Sequence, residues 1–140
     1  EKGLLENSVI DGIEELLGML RNSGKTLIVA TSKPVVFARR ILEHFGLDKY
    51  FEAVYGSELD GTRGKKPEVI EYALQQGNIA DRSQAVMVGD REHDVMGARE
   101  AGIDSIGVLF GYGSRDELEK AGADYIAATV SDIGRITLGS

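Results

Sequence analysis

The chain has no cysteine in its 140 residues. That excludes a disulfide framework, a thiolate metal site and a thiol nucleophile. No apolar run approaches the roughly 20 residues that a membrane-spanning helix requires, and nothing resembles a secretory signal. These absences predict a cytoplasmic protein. Basic charge is short as well: 16 Lys and Arg stand against 23 Asp and Glu, a formal net charge of −7. Such a balance argues against nucleic acid as the main partner. A small anion stays open, because a local cation outweighs net charge at short range. Proline is scarce, at two residues, whereas glycine is in excess: 18 of 140, against a usual share of about 7%. Many tight turns are implied.

A chain of this length is one domain with room for a real core. Ile10, Ile13, Leu16, Leu17 and Leu20 recur at helical spacing, and Gly24 stands where a C-terminal cap belongs. Residues 26–30 form an almost continuous apolar run, the pattern of a strand buried on both faces. Pro34 suits the first turn of a helix with Val35, Ala38, Ile41, Leu42 and Phe45 on its apolar face. Residues 51–55 predict a short strand and 56–66 a loop. Pro67 then opens a helix through Val69, Ile70, Ala73 and Leu74. Residues 85–88 and 105–109 predict two more buried strands, with a helix over 94–101 between them. A helix near 116–121 and a short segment at 125–126 complete the pattern. Strands alternating with helices predict an α/β fold, a parallel sheet covered on both faces.

Ligands of open parallel sheets bind beyond the carboxyl ends of the strands. Thr31 and Ser32 stand after the first strand, Lys66 closes the loop after the second, and Gly89-Asp90 follow the third. A hydroxyl and the N–H groups beside it can donate to a phosphoryl oxygen; the plainer alternative is a strand end leading into a helix. A lysine at a helix start meets the positive end of the dipole, which is unfavourable unless an anion is there too. Lys66 is a better candidate than Lys65, because Pro67 fixes the geometry after it. Asp90 and Asp94 lie four positions apart around His93. Carboxylates, water and phosphate oxygens are what magnesium prefers, although Asp at a helix start is also an ordinary cap. His93 alone makes a poor ligand and is expected to be exposed. Together the three strand ends point to a phosphate–magnesium site.

LIVATSKP, GKKPEVI and VMVGDREHDVMGAREAGI resemble, in order and spacing, the second, third and fourth motifs of haloacid dehalogenase-like hydrolases. The resemblance is closest to the phosphoglycolate-phosphatase-like branch. KGLLENSVIDGIEELLGML is similar to the segment in which that branch returns from its helical cap to its core. The resemblance implies a Rossmann-like three-layer sandwich with a parallel sheet. It assigns the transferring phosphoryl group to Thr31 with Ser32 beside it, and the phosphoryl charge and the nucleophile's position to Lys66. It makes Asp90 a ligand of magnesium (Mg2+) and Asp94 either a second ligand or the group that orients its waters. Phosphoryl transfer rests on such charge neutralisation and positioning.

The family's first motif, D-x-D-G-T with its nucleophilic aspartate, has no counterpart here after an apolar strand. Glu58-Leu59-Asp60-Gly61-Thr62 comes nearest, with Glu in the nucleophile position. The resemblance therefore implies that residues 1–140 are a partial core domain carrying motifs two to four. The central first strand and the cap would lie elsewhere in the protein, leaving a groove between residues 27–30 and 86–88 or another segment filling it. The implied activity is a magnesium-dependent phosphatase of a small phosphorylated metabolite, phosphoglycolate- or nucleotide-like, acting through an aspartyl-phosphate. Without the missing N-terminal segment the 140 residues are expected to be inactive. A phosphomutase of the same superfamily and a non-catalytic phosphate- or metal-binding fragment are the alternatives. A receiver-type signalling domain fits poorly, since it needs an acidic pair where this chain has Thr31-Ser32. Neither nucleic acid nor a membrane is expected as a partner.

Overall fold

A computed structural model describes residues 12–58, 65–77, 79, 81–110 and 113–138. The elements are α1 (Ile13–Asn22), β1 (Ile28–Pro34), α2 (Val35–His44), β2 (Ala53–Ser57), α3 (Lys66–Gln76), β3 (Val86–Gly89), α4 (Glu92–Ala101), β4 (Asp104–Val108), α5 (Arg115–Ala121), β5 (Tyr125–Ala127) and α6 (Val130–Thr137). Among the described residues every strand pairing is parallel. The alternation expected from the apolar runs is present, with short 3-10 turns at Asp48–Tyr50 and Arg82–Gln84.

Side-chain alternation along the strands separates two apolar layers. On one face, Leu16 and Leu20 of α1 pack with Ile106, Val108, Ala127 and Ile133, and Val88 of β3 joins them. Leu17, on the same helix, turns to Ala38, Leu42, Leu47 and Val54. One helix thus spans β2 at one end and β4 and β5 at the other. On the opposite face, Ile70 and Leu74 of α3 pack with Met87, Ala98 and Ala101, and Ala30 of β1 lies against the same cluster. Adjacent residues Met87 and Val88 therefore point into different layers. This is the helix–sheet–helix sandwich that the sequence predicts.

Among the described residues the strands form two sheets, β1–β2 and β3–β4–β5. Only β4 has neighbours on both edges, and Ser105 to Val108 are all buried. The apolar residues of β1, expected to be buried, are half-buried, as is Val88, and Val86 is 39% exposed. Their faces are covered by α1, α3 and α4, so the difference follows from edge pairing: among the described residues β1 and β3 each have one strand partner.

Several boundaries depart from expectation: β2 lies two residues later than expected and runs into the expected loop, and β3 and β4 are each displaced by one residue. β1 runs on through Pro34, which ends the strand at φ −56° and ψ 138° instead of opening the helix. α4 starts at Glu92, two residues before Asp94. α6 was not expected, although Thr129 and Asp132 form a reciprocal capping box at its start. That T-x-x-D spacing is a legible helix signal. The short segment at 125–126 is the edge strand β5.

Candidate functional site

β1 pairs regularly with β2 up to Ala30↔Tyr55 and resumes at Pro34↔Ser57, so Thr31, Ser32 and Lys33 bulge opposite Gly56 alone. Bulges of this kind re-aim side chains and recur beside active sites. Gly56 permits it: a Cβ there would collide with the Lys33 carbonyl oxygen and press Thr31 Cγ2 at 3.3 Å. Thr31 is 6% exposed, and its Oγ1 accepts the Lys33 N–H at 3.1 Å. The hydroxyl is thereby oriented by the backbone while its own proton remains to be donated. The Ser32 side chain lies outside the described residues.

Lys66 is the first residue of α3, with extended Lys65 before it and Pro67 after it. Lys65 is exposed and Lys66 is 5% exposed, so the lysine favoured by the sequence is the one turned inward. Its Nζ donates to the Ala30 carbonyl at 3.4 Å and lies 2.6 Å from Asp94 Oδ1. The Asp94 contact is an ion pair out of line for a hydrogen bond, since Oδ1 has no aligned donor. One ammonium therefore ties the middle of β1 to the start of α4. A buried charge needs such compensation, because desolvation costs several kcal/mol per ion.

Asp94 is 1% exposed. Its Oδ2 accepts the N–H groups of Asp90 and Arg91, both at 3.2 Å. Gly89 allows the carboxylate so close to the strand end, since a Cβ there would overlap the Asp94 side chain. The resemblance gave Asp94 to the metal or its waters; here its oxygens serve the backbone turn and Lys66. Asp90 is 3% exposed and directly follows β3. His93 is exposed, as expected. Glu58 is exposed after β2, while residues 59–62 of the E-L-D-G-T stretch lie outside the described residues.

Among the described residues no group of three or more His, Asp or Glu side chains converges on one point. Asp90 places one buried carboxylate directly after β3. Magnesium is commonly held by one or two carboxylates, with water and substrate phosphate completing the shell. The donor set fits that ion in kind and leaves most of its shell to other groups.

Sequence reasoning missed two residues beside this site. Arg91 Nε and the Glu92 N–H both donate to Glu117 Oε2 of α5, each at 2.8 Å. Glu117 sits far along the chain in an ordinary capped helix start, and its partners are fixed only by α4–α5 packing.

Residues 2–108 match the haloacid dehalogenase-like hydrolase family. A 5'-nucleotidase of Pseudomonas aeruginosa is 54% identical over 116 residues, covering 83% of this chain and 52% of that protein. Tyrosine-protein kinase PtkA of Mycobacterium tuberculosis is 45% identical over 134 residues, covering 94% and 46%. A phosphoglycolate phosphatase of Colwellia psychrerythraea is 30% identical over 129 residues, covering 92% and 57%. The crystal structure of a predicted phosphatase from Clostridium acetobutylicum superposes with a TM-score of 0.93 at 50% identity, over 99% of this chain and 64% of that one. The chain spans about half the length of the curated relatives it matches. With its motifs in order along a parallel α/β fold, the chain belongs to the haloacid dehalogenase-like hydrolases.

Proposed function

We propose that this chain carries the phosphate- and metal-binding half of a magnesium-dependent phosphatase for a small phosphorylated metabolite. The observation that carries the reading is the buried Lys66 ammonium, held between the Ala30 carbonyl of β1 and Asp94 of α4. An ammonium held at Ala30, the residue before the oriented Thr31, is suited to an anion that arrives from solvent. Lys66 neutralises the transferring phosphoryl group, and the Thr31 hydroxyl and the bulged backbone donate to its oxygens. Asp94 holds Lys66 in place and fixes the turn that presents Asp90. Asp90 holds magnesium, which when bound withdraws charge from the phosphoryl oxygens. Residues 1–140 act as a partial core domain. The nucleophilic aspartate that forms the aspartyl-phosphate comes from outside them, on a strand that pairs with β1 and β3. The relatives named as nucleotidase and phosphoglycolate phosphatase favour a nucleotide or a small phosphorylated acid as substrate.

The test compares the 140-residue chain with the same chain extended by its upstream coding sequence, each given magnesium and a generic aryl phosphate. Turnover is expected only from the extended protein, and lost on replacing Lys66 by Ala. Turnover by the 140 residues alone, abolished by changing Glu58 or Asp60, would place the nucleophile in the E-L-D-G-T stretch instead. Phosphoryl transfer to an added hydroxyl acceptor, with no release to water, would favour a mutase or kinase.

A further inference from the structure

Three successive backbone N–H groups, those of Asp90, Arg91 and Glu92, are each bound by a carboxylate. Asp94 of α4 takes the first two, and Glu117 of α5 takes the third. The turn is pressed from the α5 side as well: a Cβ on Gly113 would collide with the Asp90 carbonyl oxygen. Ser114 holds α5 in register, its hydroxyl accepting the Glu117 N–H at 3.1 Å.

The second partner of Glu117 gives this arrangement a further meaning. Arg91 adjoins Asp90 in sequence and carries a full positive charge beside the carboxylate assigned to the metal. Its guanidinium is held instead by Glu117, with Nε 2.8 Å from Oε2. Arg91 directly follows Asp90 in the chain, which puts the two charges within electrostatic reach. A guanidinium and a divalent cation compete for the same oxygens, and the guanidinium is tethered next door.

We propose that Glu117 is a positioning residue that holds Arg91 off Asp90 and pins the Asp90 turn, so that the cation does not compete with a neighbouring side chain. The proposal rests on Asp90 being the metal ligand. Outer partners of metal sites, when removed, commonly weaken the metal by about 10–100-fold, and the low end of that range is expected here.

The experiment is calorimetric titration of magnesium into the full-length protein and its variants, alongside steady-state phosphatase assays. Glu117→Ala should raise the magnesium dissociation constant about tenfold, with substrate KM at saturating magnesium unchanged. Glu117→Gln keeps an oxygen acceptor and should fall between Glu117→Ala and the parent. The decisive variant is the pair Glu117→Ala with Arg91→Ala, which should recover most of the affinity lost by Glu117→Ala, because the competitor has gone. A purely structural Glu117 would give no such recovery. Arg91→Ala alone, which does not depend on the folding of Glu117→Ala, should bind magnesium at least as tightly as the parent. Unchanged affinity in Glu117→Ala, no recovery in the pair, or weaker binding in Arg91→Ala each overturns the proposal. Asp90→Asn separates this from the reading beneath it: if that change leaves magnesium binding intact, the metal assignment itself fails. If Asp90→Asn abolishes binding while the Glu117 and Arg91 variants match the parent, only the positioning role fails.

Discussion

Lys66 Nζ lies 2.6 Å from Asp94 Oδ1, with only 4% and 1% of the two side chains exposed. The pair joins the first residue of α3 to the first turn of α4, linking the residues proposed for phosphate and for magnesium. Removing one partner of a buried pair leaves an uncompensated charge and costs about 3–5 kcal/mol. Asp94→Asn and Lys66→Met should each destabilise the protein on that scale, measured by urea unfolding. The double variant should lose clearly less than the sum, because neither charge is then left alone. Additive losses would show that the two are not coupled.

Gly56 faces the Thr31–Lys33 bulge, and a methyl group there must displace the Lys33 carbonyl. Overpacking of this kind costs about 1–3 kcal/mol. Gly56→Ala should raise the KM for phosphate ester through the displaced Thr31, while the magnesium dissociation constant, set at β3 and α4, stays at the parent value. Kinetics and calorimetry on the same preparation check both halves.

Thr129 caps α6, its Oγ1 accepting the Asp132 N–H at 3.3 Å. Thr129→Ala should cost about 1 kcal/mol, seen as a lower denaturation midpoint with activity unchanged, since the cap's hydrogen bonds run to Asp132 of α6 itself.

Arg82 makes a two-pronged contact to Glu71 and also donates to the Ala101 carbonyl, joining α3 to the end of α4. The hydrogen bonds from Arg82 lead the causes that hold the Glu71 carboxyl below its usual pKa. A depressed folded-state value means that the contribution is fully present above the unfolded value of about 4.3. It is lost as pH falls through the lower folded value. The stability gap between the parent and Glu71→Gln should therefore persist from pH 7 to about 5 and close on further acidification, measured by chemical denaturation at each pH. A gap that persists at pH 3 would mean that the charge is not its origin.

The apolar runs determined the order of strands and helices, because each must bury a continuous or periodic face whatever surrounds it. Pro67 likewise marked the start of α3, and Asp94 the first turn of α4, from local geometry alone. Even α6 was legible, in the Thr129–Asp132 pair. What the sequence left open was the partner of each polar group. Asp94 has the same local reasons to cap a helix, bind a metal or pair with a lysine, and the contact between α3 and α4 delivered Lys66 to it. The Thr31 bulge depends on register against β2, which no pattern within β1 encodes. Glu117 meets Arg91 only because α5 packs beside α4. Backbone propensity and hydrophobic periodicity act over a few residues and survive in any context. The choice among several suitors for one buried charge is made by whichever donor tertiary packing brings within about 3 Å, and that choice belongs to the folded chain.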